Sequence, residues 1–455
     1  MTPQELAERV LSLSQTDGCV VLIRVTAMAN LRWAGSTLTT NGVTRTTAIT
    51  VIAVDGVSAG SVTRTGVTAD RLEDVVRAAE LAARSGGPAL DAQPLVAGGA
   101  DPTWLDPPGE TSIATHAGTV SGLRRAFDES RSGGYDLYGY AEHTVETTYL
   151  ASSTGLRRRH QQPGGVLELT GRADGGARSA WAGLPLRTGD DVDVASLASD
   201  VRRRLEWARR RVDLPAGRYD TVLPPTAVGD LMTYLLWSSG GLDAHEGRTV
   251  FSAPGGATRV GEQVCPLPLT MSSDPAMAGW SSSPFVIAPA SARTLSVFDN
   301  GLPLEPTDWI RDGRLQTLVT SRAEAAVTGL AVAPMIGNLI LSAEGAVASA
   351  EDMVASMQRG LLLTCLWYIR EVDPQTLLLT GLTRDGVFLV EGGEVVGAVS
   401  NYRFNESPVD LLSRCAEVGA SVATLPREFG ESQIATVMPP LRIPDFNMSS
   451  VSDAS

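Results

Sequence analysis

The sequence contains no lysine: all 37 basic residues among its 455 are arginine. An arginine stays protonated and cannot serve as a proton acceptor. Lysine Schiff bases, a P-loop lysine, Ser–Lys dyads and the kinase lysine are therefore excluded. Cysteine is scarce as well. Cys19, Cys265, Cys365 and Cys415 lie far apart with no Cys-x-x-Cys pair, which suits reduced thiols in a cytosolic protein better than a disulfide framework. Long apolar runs are missing too. The longest, Leu361 to Ile369, is interrupted by Thr364 and falls far short of the ~20 residues that span a bilayer. The start, Met1-Thr2-Pro3-Gln4-Glu5, lacks the basic and apolar regions of a signal peptide. The expected location is the cytoplasm, with no membrane contact.

Acidic residues outnumber basic ones, 51 to 37, leaving a formal charge of −14. Such a chain is repelled by phosphate backbones, so no nucleic-acid partner is expected. What the chain does have is enough apolar content, 43% hydrophobic against 19% charged, to bury a sizeable core. Its length allows about two to four domains.

Local patterns give an outline. Thr2, Pro3 and Glu5 form a capping box ahead of Leu6, Val10 and Leu13, which predicts a helix. Strands are predicted at Cys19–Val25 and Thr47–Val54, the second joined through an Asp55-Gly56 turn to Ser58–Thr63. A helix follows a Thr68 cap, with Leu72, Val75, Val76 and Ala79 inward. Residues 85–110, rich in Gly, Pro and Ala, read as a connector. Val145–Leu150 and Val166–Ala173 read as strands, with turn chemistry at Ser152-Ser153-Thr154-Gly155. A long helix from Val194 to Val212 is expected to bury Leu197, Val201, Leu205 and Ala208. Leu214-Pro215-Ala216-Gly217 then sets the main boundary. We expect an N-terminal domain over 1–213, with sub-regions about 1–86 and 110–213, and a C-terminal domain over 214–455. In the second half, hairpins are predicted at Asn300-Gly301, Asp312-Gly313 and Glu391-Gly392-Gly393-Glu394. One clear helix is capped by Ser349 with Asp352 three residues on, Met353, Met357 and Leu361 sharing a face. The Ser-rich tail from Met448 is expected to fray. The fold class is α+β: helices and antiparallel hairpins in the N-terminal domain, a mainly antiparallel β domain with few helices after it.

Motifs that could carry chemistry are weak. Gly56-Val57-Ser58-Ala59-Gly60 matches the hydrolase pattern Gly-x-Ser-x-Gly, but it lies in a predicted hairpin instead of a strand–turn–helix elbow. His245-Glu246 has no second histidine to make a zincin pair, and Gly247 with Thr249 and Val250 argues against a helix there. The other histidines, His116, His143 and His160, are not at helical spacing. Arg157-Arg158-Arg159 with His160, Arg202-Arg203-Arg204 and Arg209-Arg210-Arg211 read as an exposed turn and a solvated helix face. Only Trp207 lies near them, which does not make a nucleic-acid platform. The acidic pairs Asp190-Asp191 and Glu351-Asp352 suit helix starts, and Asp299 reads as a turn residue.

Taken in order, the segments resemble the TldD/PmbA family of metallopeptidase-related proteins. The matching stretches are Val20–Val25, Ala53-Val54-Asp55-Gly56 with Gly60, the Thr68–Ala83 helix and Tyr149 to Gly155. Leu214 to Leu223, Phe298-Asp299-Asn300-Gly301-Leu302-Pro303, Ile310 to Leu315, Gln358 to Leu363 and Val390 to Glu394 continue the series. The ordered set, from about residue 5 to 448, carries the resemblance; no single motif does. In the TldD branch, the resemblance implies a zinc held by a His-Glu-x-x-x-His helix and a cysteine near the C-terminus. The matching stretch here, Val228 to Trp237, contains no His, Cys or Glu, and Leu425 to Pro440 contains no Cys. Cys415, which precedes it, reads as a buried thiol.

The resemblance therefore points to the TldE/PmbA branch. It implies no catalytic or metal-binding residue and no cofactor in this chain, with zinc in a TldD-like partner. The expected assembly is a heterodimer enclosing a chamber where unfolded peptides or peptide precursors are cut. Which residues contact substrate is left open. An older label ties the family to DNA gyrase, and the charge of −14 gives direct DNA contact no support. Two rival readings stand beside this one. An autonomous hydrolase could use His245 and Glu246 with His143 or another distant ligand, or Ser58 as nucleophile. A homodimeric peptide-binding scaffold would need no enzyme at all.

Overall fold

Twelve elements fix the layout. They are α1 (Pro3–Leu13), β1 (Gly18–Ala34), β2 (Thr37–Asp55), β3 (Ser58–Thr65), α2 (Leu72–Gly86), α3 (Ala117–Gly133), β4 (Tyr135–Ser152), β5 (Arg157–Ala173), β6 (Arg178–Pro185), α4 (Val194–Trp207), β7 (Gly217–Leu223) and α5 (Pro225–Trp237). The computed structural model describes residues 1–187, 192–430 and 434–452. The fold is α+β, with an antiparallel sheet and helices first and a mostly sheet-built second half.

The first sheet runs β3-β2-β1-β4-β5-β6. Its central strands are longer than the apolar runs suggested, because alternation continues past them at lower hydrophobicity. On β1, Cys19, Val21, Ile23 and Val25 lie under α1 and α2, while Leu31 and Trp33 of the same face meet α3 and α4. The opposite face, through Val20 and Leu22, packs on Phe285, Val297 and Phe298 from the second half. The sheet is thus covered on both sides, and its second cover ties the two halves together.

Two large sheets follow among the described residues, besides a two-stranded one of Ser252–Ala253 with Ala257–Thr258. One runs Arg314–Leu315, Thr307–Arg311, Leu269–Ser273, Asn338–Ala343, Ala435–Met438, Val422–Thr424. In the other, β7 is central, parallel to Arg359–Leu363 and antiparallel to Leu441–Val451. Helix α5 follows β7 directly. Nine of its thirteen residues are buried, six of them in the large apolar cluster shared by both sheets. No helix among the described residues is long and apolar enough to cross a membrane.

Local signals held where their partners are local. The Thr2 capping box is present, with Glu5 N–H donating to Thr2 Oγ1 and Thr2 N–H to Glu5 Oε2. Asp312-Gly313 and Gly392-Gly393 turn true hairpins with positive φ at both positions. The β2–β3 turn differs: its central residues are Gly56 and Val57, and of these only Gly56 takes positive φ, 60°. Asn300-Gly301 does not join two strands, since the 3-10 turn Val297–Asp299 precedes it. Helix α4 ends at Trp207, not Val212, because the chain leaves it to pair with Ala398: Ala398 N–H donates to Arg210 O and Val212 N–H to Ala398 O. The helix after Ser349 spans only Ala350–Ser356, and Leu361 lies in the next strand. It is not the one helix of the second half, since α5, Gly241–His245, Arg322–Thr328 and Pro408–Ser413 are helical too. The tail is not frayed at Met448. Phe446 and Met448 are fully buried, and Leu441–Val451 pairs with β7 and Tyr402–Glu406. Asp190 and Asp191 lie outside the described residues.

Leu236 of α5 is fully buried in the cluster between the sheets. Leu236→Ala is expected to cost about 2–5 kcal/mol in urea unfolding, with the slope unchanged. A loss under about 1 kcal/mol would contradict the placement of α5 in the core.

Candidate functional site

Helix α5 begins at Pro225, with Pro224 in extended conformation before it. Proline in the first turn loses no intrahelical hydrogen bond. Two faces then diverge. Leu231, Met232, Leu235 and Leu236 enter the apolar cluster, so the space around Met232 and Leu236 is filled by packing. Asp230, Tyr234 and Trp237, at i, i+4 and i+7, instead meet the segment Arg427–Phe429. Asp230 is fully buried. Its Oδ2 accepts from Arg427 N–H at 3.1 Å, and its Oδ1 accepts from Glu428 N–H at 2.9 Å and Phe429 N–H at 3.0 Å. The Phe429 ring sits 4.9 Å from Trp237 and 5.9 Å from Tyr234.

The same segment reaches the first sheet. The Arg427 guanidinium stacks between Trp367, at 4.0 Å, and Trp181 of β6, at 4.9 Å. It also lies 3.5 Å from Glu168 Oε2, which accepts from Trp181 Nε1–H at 2.9 Å. Arg427 is therefore a planar cation held by two aromatic faces and one carboxylate, joining β5 and β6 to the second half.

Catalytic zinc needs three protein donors from His, Cys, Asp or Glu. On α5 only Asp230 qualifies, and its oxygens already accept three N–H bonds. Thr233 Oγ1, buried and without a partner among the described residues, is an alcohol. No three His, Cys, Asp or Glu side chains among the described residues converge anywhere on a common point. The residues present do not fit a zinc ion. The thiols are equally unsuited: burial pushes both Cys365 and Cys415 up to about 12, so neither supplies a thiolate. All four cysteines are free.

The other candidates are scattered. His245 ends the short helix Gly241–His245, and residues 246–251 beyond it are not helical, as Gly247, Thr249 and Val250 imply, with Gly247 at φ 79°. Glu246 pairs with Arg248. His143 Nδ1 bonds Thr111 Oγ1 at 2.7 Å, and burial with His116 nearby lowers its pKa. His116 Nε2 bonds Ala29 O at 3.0 Å, and His160 Nε2 bonds Gln162 Oε1 at 2.9 Å. Ser58 opens β3 opposite Asp55 in a hairpin. Asp299 is no simple turn residue. It is buried and paired with Arg322, whose Nε lies 2.6 Å from Oδ1, because a charge under the packed Phe298 turn requires a partner. Arg157 and Arg158 form part of β5, not an exposed turn, and pair with Glu8 and Asp101. Glu351 and Asp352 do start a helix, Asp352 completing its capping box with Ser349. Asp230, Arg427, Trp181 and Trp367 went unnoticed in the sequence. A lone acid within the apolar stretch Ala227–Leu236 is the one signal that could have flagged the site.

Beside this junction lies a cleft of about 700 Å³. Its walls come from β6 and α4 on one side, and from Val422–Leu425, the helix at Ala350 and the Gly393–Val395 hairpin on the other. Arg203 spans its mouth, pairing with Asp200 at 2.8 Å and with Glu351 at 3.2 Å.

The family model described as the PmbA/TldA metallopeptidase C-terminal domain matches residues 216–450, more than half of the chain. Solved structures share the whole fold. The chain is similar to TldE from Thermococcus kodakarensis at 16% identity, with TM-score 0.76 over 98% of this chain and 99% of that one. A proposed modulator of a DNA gyrase from Thermotoga maritima matches at 17% identity and TM-score 0.75, over 98% of this chain and 100% of that one. A protein of the same description from Bacteroides thetaiotaomicron matches at 14% identity and TM-score 0.74, over 99% and 98%. No curated protein sequence matches the chain.

Burial pushes Asp230 up to about 8, against the downward pull of its three N–H donors. An unfolded aspartate titrates near pH ~4. Between those values the folded chain holds a proton that the unfolded chain has released. Raising the pH from about 4 to about 8 therefore removes stability at this site. Asp230→Asn stays neutral throughout. Urea unfolding from pH 5 to pH 8 should show a steeper loss in the wild type than in this variant; parallel slopes would contradict a protonated Asp230.

Proposed function

The chain belongs to the PmbA/TldD metallopeptidase family, and we propose that it is a metal-free subunit that pairs with a zinc-bearing TldD-like chain to enclose and cut unfolded peptides. The observation that carries this reading is the state of α5 and the Arg427–Phe429 segment. Where the family's zinc would join helix and C-terminal stretch, Asp230 joins them through three backbone N–H bonds. A site wired in this way holds its two parts together and offers no open coordination position. The structural likeness to a protein named TldE supports the same branch.

In this reading the partner's zinc polarises the scissile carbonyl and activates water. This chain's residues do other work. The packed α5 and the Arg427 stack keep its two halves in register, and the outer strands around the cleft present backbone groups to an extended chain. Its four free cysteines suit work in the cytoplasm.

The test mixes the purified chain with a TldD-like chain from the same genome. Light scattering should show a one-to-one complex, and unfolded casein should be cleaved only by the mixture, with cleavage abolished by a chelator. Cleavage by this chain alone, lost in Ser58→Ala or His245→Ala, would overturn the proposal in favour of an autonomous hydrolase. A stable homodimer that takes up no partner would overturn it in favour of a scaffold.

A further inference from the structure

The covers of the first sheet stop short of one stretch. Strand β3 pairs with β2 only from Ala48 to Asp55, and Gly66 N–H donates to Thr47 O just beyond that pairing. From Thr37 to Thr46, β2 pairs with β1 on one side, and on the other no strand lies against it among the described residues. Every residue of this stretch is exposed except the half-buried Gly42. Alternate residues of such an edge turn both N–H and C=O outward. Natural edges are usually blunted by proline, charge, a bulge or a cover. This one holds no proline, and its single charge, Arg45, is paired with Glu110 at 2.8 Å. A bulge lies only near its start, opposite Arg32 and Trp33. No charged residue occurs from Trp33 to Thr44. A second uncharged stretch flanks the edge. From Thr111 to Leu123 the one ionisable side chain is His116, which is buried. His116 bonds the Ala29 carbonyl, and Ala29 stands opposite Val43 of β2. The 3-10 turn Ile113–His116 and the start of α3 therefore lie beside the edge. Ile113 and Val120 are exposed there, as are Leu38 and Val43 on the strand.

We propose that this uncharged zone is where the TldD-like partner docks, its corresponding strand adding antiparallel along Thr37–Thr46. The proposal rests on the reading of the chain as one subunit of a pair and names the surface that joins the pair. The size of the zone argues for a folded occupant. About ten residues at ~3.4 Å each make an edge ~35 Å long, and at a thickness of ~10 Å it presents roughly 350 Å². A stable interface buries ~800 Å² on each partner. A lone peptide strand covers less than half of that, so the occupant must also cover the flank from Ile113 to Val120, as a folded domain does. Symmetry argues for a chain of this same fold. The solved structures share the fold over nearly the whole of each chain, so a family member carries a strand in the place of β2. Two like edges meeting antiparallel about a two-fold axis are self-complementary. That axis stands perpendicular to the sheet, so the flanks of the two chains lie on one face and meet. Docking here buries no unpaired charge. It also matches the charge depletion and apolar content of interface cores.

The experiment mixes the full chain with the TldD-like chain of the same genome. Light scattering reads complex formation, and amide hydrogen exchange is followed residue by residue in the free and mixed states. Amides at alternate positions from Leu38 to Thr46 should exchange fast in the free chain and at least about tenfold more slowly in the complex. The double variant Leu38→Glu, Val43→Glu places two charges in the joint from exposed positions, and should raise the Kd for the partner at least about tenfold. If that variant fails to fold, the exchange pattern decides the matter alone. A complex that leaves these amides unprotected, or a folded variant that binds as tightly as the wild type, overturns the docking edge and leaves the subunit reading standing. If no complex forms, the subunit reading itself fails and the proposal falls with it. Protection that appears with rising concentration of this chain alone overturns the choice of partner in favour of a second copy.

Discussion

A carboxyl group in an apolar interior must be neutral or fully hydrogen-bonded, and that constraint shapes the centre of this molecule. Asp230 lies within a helix that is otherwise packed into the largest apolar cluster. It can exist there because the backbone at Arg427, Glu428 and Phe429 turns three N–H groups toward it. The constraint acts in both directions. The segment after Leu425 has its geometry set by the carboxylate, and that geometry presents Arg427 and Phe429 to their aromatic neighbours.

From this anchor the two halves of the chain are joined. Arg427 passes between Trp367 and Trp181, so one cation links the second half to the outer strand of the first sheet. The other face of the first sheet is closed by Phe285, Val297 and Phe298. Between these two joints, the cleft beside β6 is walled by strands of all three large sheets.

The sequence disclosed what depends on neighbours in the chain. The capping boxes at Thr2 and Ser349 and the turns at Asp312-Gly313 and Gly392-Gly393 need only residues within three or four positions. The order of segments was enough for the fold class and the family. Asp230 was passed over because its partners lie 197 to 199 residues away. Asp299 looked like a turn residue because Arg322, which neutralises it, lies 23 residues further on. The tail looked disposable because its serines are read locally, whereas Phe446 and Met448 are held by β7 and Tyr402–Glu406. In each case local composition was correct and long-range pairing decided the outcome.

The central claim is that the buried Asp230 carboxyl and three backbone amides, and not a metal ion, join α5 to the segment Arg427–Phe429. Equilibrium dialysis of the isolated full chain against zinc, followed by elemental analysis, tests it most directly. The account predicts substoichiometric zinc that a mild chelator removes, with the same content in Asp230→Ala. One tightly held zinc per chain, lost on that substitution, would contradict it.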